Sequence, residues 1–520
     1  AQLRRAAGRL VSGDGIASGD GFASGDGFAS GANGTGGGET SGVVVVGGGI
    51  AGVAASVALA ERGVAVTLVA REGSLGGRAG AFPHKLASGQ TVEMERGFHA
   101  FFRQYYTLRD LLRRVSPDLS ILRPLVDYPV LGPHGQRVSF TGLPRRAPWN
   151  IVGMVRRTPE LDLRALRHVD VRRAMAMLAY HPRRTTDRFD HLSAAEYLDS
   201  LRFPPEARRM LFEVFSHSFF NPEEDMSAAE LLLMFHFYFV GNPEGLIFDV
   251  VRAPFSSAIW EPMGDYLRSL GVSVLTGTSV VSLQRSEGQW HAELSGGTAR
   301  APVVTAPAVV LALDVPGVRL LVERSALAGT ATGEAIRKVG VTNPFAVWRL
   351  YLDTPTAPHR APFIGTAGHP LLDNISLFHD IEDESREWAA RHGGSVVELH
   401  AYAVPVGTDE ATIKRNMLAG LRRLYPETRT ARVLDEIYLL RRDCPSFGPG
   451  ETASRPGVLT AAPNLYLAGD YVRLNTPSAL MERAALSGFL AANHILEKQG
   501  RKPHATTSIP SRGMLGALAA

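Results

Sequence analysis

The sequence predicts an α/β fold in which a parallel sheet is assembled from separated pieces of chain, with a mixed α+β domain inserted between them. Three observations carry that expectation. "SGVVVVGGGIAGVAASVALAERGVAVTLVA" (Ser41–Ala70) reads as strand, glycine turn, helix and strand. "GVSVLTGTSVVSLQR" (Gly271–Arg285) and "APAVVLALDVP" (Ala306–Pro316) bring further strands far along the chain. "NLYLAGDYVRLNTPSALMERAALSGFLAANHIL" (Asn464–Leu496) supplies a last strand, a loop and a helix. Strands alternating with helices indicate βαβ units, and their wide separation indicates a discontinuous domain.

Composition bounds the classes open to the chain. Its 520 residues leave room for two or three domains, and 45% hydrophobic content suits globular cores. The sole cysteine, Cys444, rules out an intramolecular disulfide and fits a reducing compartment. The longest strongly apolar run, "LLLMFHFYFV" (Leu231–Val240), falls well short of the ~20 residues that cross a bilayer, so no transmembrane helix is expected. The first residues carry arginines without an apolar segment behind them, unlike a secretory signal. The expected location is cytoplasmic, with peripheral membrane association. Net charge is +4, yet Phe101–Asp190 holds 17 Arg against 8 Asp plus Glu, a local +9 that leaves −5 elsewhere. Arginines interleaved with Trp149, Ile151, Val152, Met154 and Val155 suit an anionic lipid surface, the alternative being a solvated helical face. No nucleic-acid motif accompanies the charge, so no nucleic-acid partner is expected.

Each element follows in order. Residues 1–40 repeat "SGDGIA", "SGDGFA", "SGDGFA", and 11 of the 27 residues from Ser12 to Gly38 are glycine. Ordering that backbone is entropically costly, and the units lack the nonapeptide of calcium rolls, so a flexible tail is expected. Residues 41–100 form the first part of the nucleotide-binding domain: four valines buried on both faces, a helix over Ile50–Arg62 ended by Gly63, and a second strand over Val64–Val69. Residues 101–263 read as mostly helical, with proline breaks at Pro144, Pro148, Pro182 and Pro222. They are assigned to substrate and membrane contact. Residues 264–325 return to the nucleotide sheet. Residues 326–440, with "AVWRLYLD" and "SVVELHAYAV", supply strands and helices of the substrate domain. Residues 441–497 close the nucleotide domain, and 498–520 form a flexible carboxyl-terminal tail.

Gly47, Gly49 and Gly52 fit G-x-G-x-x-G, with Ala51 inside the motif. The first glycine permits the tight turn, the second a close approach of backbone to pyrophosphate, and the third close helix–strand packing, while the helix amino end attracts phosphate. Such folds end their second strand with an acid that grips the ribose. Here Ala70 stands there, followed by Arg71 and Glu72. An arginine beside a non-acidic residue suits the 2′-phosphate of NADP; alternatively Glu72 or a water takes the ribose contact and the ligand is FAD. "LGGR" (Leu75–Arg78) adds a glycine pair, Gly76 and Gly77, and a cation, and "LYLAGDYV" (Leu465–Val472) adds a distant strand ending in Gly469 and Asp470. A NADP fold has no need of that closing strand and helix.

These motifs, with "ALMERAALSG" (Ala479–Gly488), resemble the FAD-containing amine oxidase and carotenoid desaturase superfamily. "MERGFHAFFRQYYTLRDLLRR" (Met94–Arg114) is similar to the plant and cyanobacterial carotene desaturases, and most of all to the actinobacterial isorenieratene synthases, which are β-carotene desaturase/methyltransferases. The resemblance spans Val43–Leu496. It implies a Rossmann-like FAD-binding domain, with Gly47, Gly49 and Gly52 at the pyrophosphate and Arg78 near the phosphate or flavin. It also implies Val280 meeting adenine through its backbone, Asp470 at the ribityl or pyrophosphate region, and Met481, next to Leu480, beside the isoalloxazine. Gly97 and Phe98 fall where backbone approaches the flavin. Ala70 departs from the usual Glu of that family.

The resemblance further implies an apolar carotenoid substrate, oxygen or quinone as electron acceptor, and conversion of β-rings to aromatic rings by desaturation with a 1,2-methyl shift. A ring carbon that carries two methyls cannot become aromatic by dehydrogenation alone. A cation passed through on the way wants electron-rich walls, for which "FHAFFRQYY", "FSHSFFNP" and "MFHFYF" are candidates. Candidate bases are His99, first by its place after Gly97, then Glu95, His217 and Glu482. Cys444 has no histidine neighbour in sequence and reads as structural; His217 and His236 lack metal-ligand spacing, and no metal is expected. Three other readings stay open: a desaturase or isomerase of the linear polyene, a flavin amine or porphyrinogen oxidase, and a flavin-binding scaffold without turnover.

Overall fold

A run of four valines, Val43–Val46, forms the middle strand of a five-stranded sheet, because every side chain on it is buried. The order across that sheet is Ser273–Leu275, Val66–Val69, Val43–Val46, Val309–Leu311, Leu465–Leu467, and all pairings are parallel. Parallel strands need covering on both faces, which explains their continuous apolar runs. The helix Ile50–Ala60 is buried along its whole length and packs on the terminal helix Leu480–Lys498. Their contact is close because Gly488 has no side chain: a Cβ there would lie 2.3 Å from the Ala51 carbonyl oxygen. The fold is α/β, a discontinuous nucleotide-binding domain with an inserted mixed domain. This computed structural model describes residues 39–40, 42–125, 127–157, 167–213, 217–297 and 301–515. Nearly all of the expected amino-terminal flexible tail, 1–38, lies outside the described residues.

The inserted region is built on a seven-stranded sheet in the order Val433–Arg441, Phe345–Leu352, Ser395–Ala401, Asn374–Leu377, Phe363–Thr366, Val130–Leu131, Arg137–Val138. Its first five strands are antiparallel, and Val130–Leu131 joins Phe363–Thr366 in parallel. Every residue of Phe345–Leu352 and Ser395–Ala401 is buried, including Arg349, Glu398 and His400.

Two expectations need correction. Residues 101–263 hold short helices from Trp149 to Val240, but also strands at Phe101–Phe102, Leu122–Pro124 and Phe248–Val251, which form a sheet of their own. Strands of two to four residues are too short to show a period. Pro182 does break the helical run, separating Met175–Leu178 from the helix it opens, Pro182–Phe189, where its missing N–H costs nothing. The chain after residue 497 is not a loose tail through 515. His504 Nε2 bonds the Ala58 carbonyl (2.9 Å), His236 Nε2 the Pro510 carbonyl (2.8 Å), and Gly513 N the Tyr180 carbonyl (2.8 Å). Polar partners supplied by remote elements hold it, and nothing in its own composition signals them.

Candidate active site

The turn after Val43–Val46 demands glycine. Gly47 has φ +119°, and a Cβ on it would meet the Ala312 carbonyl oxygen at 2.3 Å. A Cβ on Gly52 would stand 1.8 Å from the Gly47 carbonyl oxygen, so helix and turn touch. The helix then opens at Gly49 with no side-chain cap and no acid in its first turn. Its first N–H groups and the positive end of its dipole therefore have no side-chain partner among the described residues, as a pyrophosphate site requires.

That helix end lines one continuous cavity of about 590 Å³. From Gly47–Ala51, Ala70–Glu72 and Val280 the wall runs past Gly76–Arg78, Gly97, Gly469, Asp470, Leu480 and Met481. It ends in a chamber of Phe98, Phe102, Tyr128, Phe219, Tyr238, Phe248 and Phe363. Of the residues expected at the cofactor, all line the cavity except Gly52, whose part is the helix contact. Arg78 Nη2 donates to Asp470 Oδ1 (2.5 Å), tying the second glycine pair to the last strand. The uncapped helix end and the glycine cradle, with Arg78 and Asp470 midway along an elongated space, fit FAD.

Ala70 is buried with its N–H on the Leu275 carbonyl, and Glu72 lines the cavity beside it. Glu72 accepts from Arg71 Nη2 (2.9 Å) and lies 3.8 Å from Arg96. Cys444 is buried 3.8 Å from Arg78, and burial pushes its thiol up to about 12 despite that cation. A thiol so poorly ionised is no nucleophile.

The candidate bases separate. His99 lines the cavity, with Nδ1 on the Gly97 carbonyl (2.6 Å) and its ring edge on Phe255; burial pulls its pKa down. Glu95 does not line the cavity: it is buried behind it on Arg349 Nη2 (2.8 Å). Nor does Glu482, which accepts from the N–H groups of Thr107 and Leu108 (both 2.9 Å) and so caps the helix Tyr106–Leu112. Both are expected as bases from the sequence, and both are withdrawn from that role because neither faces the cavity: Glu95 is turned to Arg349, and both oxygens of Glu482 cap a helix. His217 Nδ1 bonds Asp373 Oδ1 (2.7 Å), and Asp373 lines the cavity.

Sequence reasoning missed a polar group in the chamber wall: Asn374, His400 and Tyr402. His400 Nε2 bonds Glu398 Oε1 and its Nδ1 bonds the Tyr402 hydroxyl, each at 2.7 Å. Arg349 Nε donates to Glu398 Oε2 (2.8 Å). The available signal was charge inside apolar strands: Glu398 and His400 stand two apart in "SVVELHA", hence on one face. Among the described residues, no group of three acid, histidine or cysteine side chains is placed to hold a metal ion.

Comparison with known proteins agrees with this geometry. The model of the family described as flavin containing amine oxidoreductase matches residues 50–496. A carotenoid phi-ring synthase of Streptomyces griseus is 46% identical, over 92% of this chain and 92% of its own length. A zeta-carotene desaturase of Synechocystis sp. is 24% identical, over 88% of this chain and 98% of its own. Among solved structures, a cyclohexylamine oxidase from Brevibacterium oxydans superposes with a TM-score of 0.63, covering 89% of this chain and 100% of that one, at 14% identity that speaks for the fold alone. The chain belongs to the family of flavin-containing amine oxidoreductases and is a FAD-dependent oxidoreductase.

Proposed function

We propose that the protein aromatises the β-rings of a carotenoid by desaturation with a 1,2-methyl shift, the conversion of β-carotene to isorenieratene. The observation that carries this reading is the single cavity joining the nucleotide cradle to an aromatic, largely apolar chamber. The likeness to a carotenoid phi-ring synthase along nearly the whole chain supports it.

FAD, when bound, supplies a two-electron acceptor, re-oxidised by oxygen or a quinone. Gly47, Gly49 and the helix end would hold its pyrophosphate, Arg78 and Asp470 would lie at its middle, and Leu480 and Met481 at its flavin end. The substrate chemistry follows from the ring. A hydride leaves C4 and a proton C3, giving the ring diene. A second hydride then leaves C2, the methyl on C1 migrates with its electron pair to C2, and the remaining C2 hydrogen departs as a proton. Four hydrogens are lost per ring and every carbon is kept. The chamber's task is to exclude water and face the cation with ring π-electrons: Phe98 stacks on Phe363 at 4.5 Å between centroids, and Phe102 lies edge-on to Tyr238 at 4.8 Å.

Peripheral membrane contact belongs to the same reading, since the substrate resides in lipid. The helix Trp149–Arg157 leaves Trp149 66% exposed and ends in Arg156 and Arg157; the helix Val171–Ala174 leaves Val171 63% exposed beside Arg172 and Arg173. No described helix is long and apolar enough to cross a membrane. Expression in cells that accumulate β-carotene tests the function. A pigment four hydrogens lighter per converted ring, with aromatic protons, upholds it; unchanged β-carotene beside flavin-loaded protein overturns it and turns attention to the linear polyene, as the likeness to a zeta-carotene desaturase would then suggest.

A further inference from the structure

Building on the ring-aromatising reading, we propose that Tyr402 takes up the protons the ring releases, passing its own hydroxyl proton to His400 in the same step. The observation is a buried file of hydrogen bonds that reaches the cavity at one end only. Asn374 Nδ2 donates to the Tyr402 hydroxyl oxygen (2.9 Å), which leaves the Tyr402 O–H to donate to His400 Nδ1 (2.7 Å). His400 Nε2–H then faces Glu398 Oε1 (2.7 Å). Glu398 Oε2 accepts from Arg349 Nε (2.8 Å), and Arg349 Nη2 donates to Glu95 Oε2 (2.8 Å). Tyr402 and His400 line the cavity, whereas Glu398, Arg349 and Glu95 lie behind it, none more than 2% exposed. Strand register fixes the file, setting Arg349 opposite Glu398 and Val347 opposite His400.

Charge sets the direction of transfer. Two carboxylates share one guanidinium, so the buried group carries one uncompensated negative charge that a protonated His400 balances. Burial alone would raise the Glu398 carboxyl, but Arg349 and His400 override it and hold Glu398 below the usual carboxylate range. Burial and the neighbouring Glu95 push the Glu382 carboxyl well up, which disfavours a further negative charge there. His99 is the contrasting case. It is buried, is held by a carbonyl, and forms no ion pair among the described residues; burial outweighs the more distant Glu95 and Glu398 and disfavours an imidazolium there.

The step balances. The C–H bond of the ring cation breaks and its electron pair completes the ring double bond. The proton goes to the Tyr402 oxygen as the tyrosine's own proton passes to His400 Nδ1. The phenol is regenerated and the positive charge has moved from ring carbon to imidazolium, against Glu398. Burial pushes the Tyr402 hydroxyl well above its ordinary range, so a free tyrosinate is avoided and the two transfers occur together. His400 returns its proton through Tyr402 to the cavity, and so to solvent, before the second oxidation of the ring. Tyr402 is thus the catalytic residue, and His400 and Glu398 are positioning residues.

The test uses purified FAD-loaded enzyme with β-carotene in micelles, comparing wild type, Tyr402→Phe and His400→Gln for kcat, KM and bound FAD. The expected result is a fall of about 10²-fold or more in kcat for both variants, the usual range for losing a general base, with KM and FAD content kept. Should Tyr402→Phe lose FAD, His400→Gln decides, since glutamine still donates to Glu398. A wild-type kcat in either FAD-loaded variant, or a rise in KM in place of the fall in kcat, overturns the relay while the function stands. Wild-type enzyme that aromatises no ring overturns the function, and the relay with it.

Discussion

The two ends of the cavity are made in opposite ways. The nucleotide end works through backbone: Gly47 and Gly52 serve by what they lack, and the first turn of Ile50–Ala60 presents N–H groups that every residue has. The chamber end works through side chains drawn from remote segments, with Phe98, Phe248 and Phe363 meeting at centroid distances of 4.5–6.0 Å. A site defined by missing atoms tolerates no addition, whereas a wall of many apolar contacts absorbs single exchanges. What makes the second end brittle is the buried charge behind it.

That difference can be broken most severely at Arg349. Arg349→Met leaves Glu95 and Glu398 buried without their cation, and about 3–5 kcal/mol of stability should be lost. The dependence on pH should also change sign. In the wild type Glu398 sits below the ordinary carboxylate value of 4.5, so its contribution is present above that pH and is lost as pH falls through the lower folded value. In the variant burial raises the same carboxyl, so its contribution is greatest in acid and is lost as pH rises. Thermal melts from about pH 2 to 8 check both, and an unchanged slope would show that Arg349 is not what holds Glu398 ionised.

Next comes the backbone end. Gly52→Ala should cost about 3 kcal/mol and abolish FAD retention, measured as flavin absorbance per chain. A variant that still carries full FAD would mean the turn can shift away from its 1.8 Å clash. The helix between the two ends is sharpened by Glu482→Gln. Burial raises the Glu482 carboxyl to about 8, so its contribution is complete below its ordinary value of 4.5 and declines as pH rises toward 8, by up to about 1.4 kcal/mol per unit. The glutamine variant should flatten that slope. The smallest effect is expected at Ala70→Glu, which restores the ribose contact of the family resemblance. FAD affinity should rise about fivefold, near 1 kcal/mol, because Glu72 is already taken by Arg71 and Arg96. Unchanged affinity on FAD titration would mean that another group makes the contact.

The glycine turn, the valine strand and the return of the sheet at Ala306–Pro316 and Leu465–Val472 were legible in the chain because each depends on neighbours within a few residues. The same holds for Arg78 and Asp470 as candidates, carried by short motifs. Legibility ended where an oxygen's partner comes from a distant element. Glu482 and Glu95 read as available bases, yet one caps a helix that begins at Tyr106 and the other pairs with Arg349 across the chain. Short strands such as Phe101–Phe102 were hidden for the related reason that two residues carry no period.

What the sequence by itself determined is the nucleotide end: backbone conformations there follow from glycine and valine placed at fixed spacing, and the positive φ of Gly47 already favours glycine before the Ala312 carbonyl closes in on it. What only the tertiary structure decided is which polar side chains face the chamber. Register between Phe345–Leu352 and Ser395–Ala401 sets Arg349 against Glu398 and turns His400 toward Tyr402. Burial then assigns the charges, since a carboxylate keeps its charge away from water only where the fold supplies a partner.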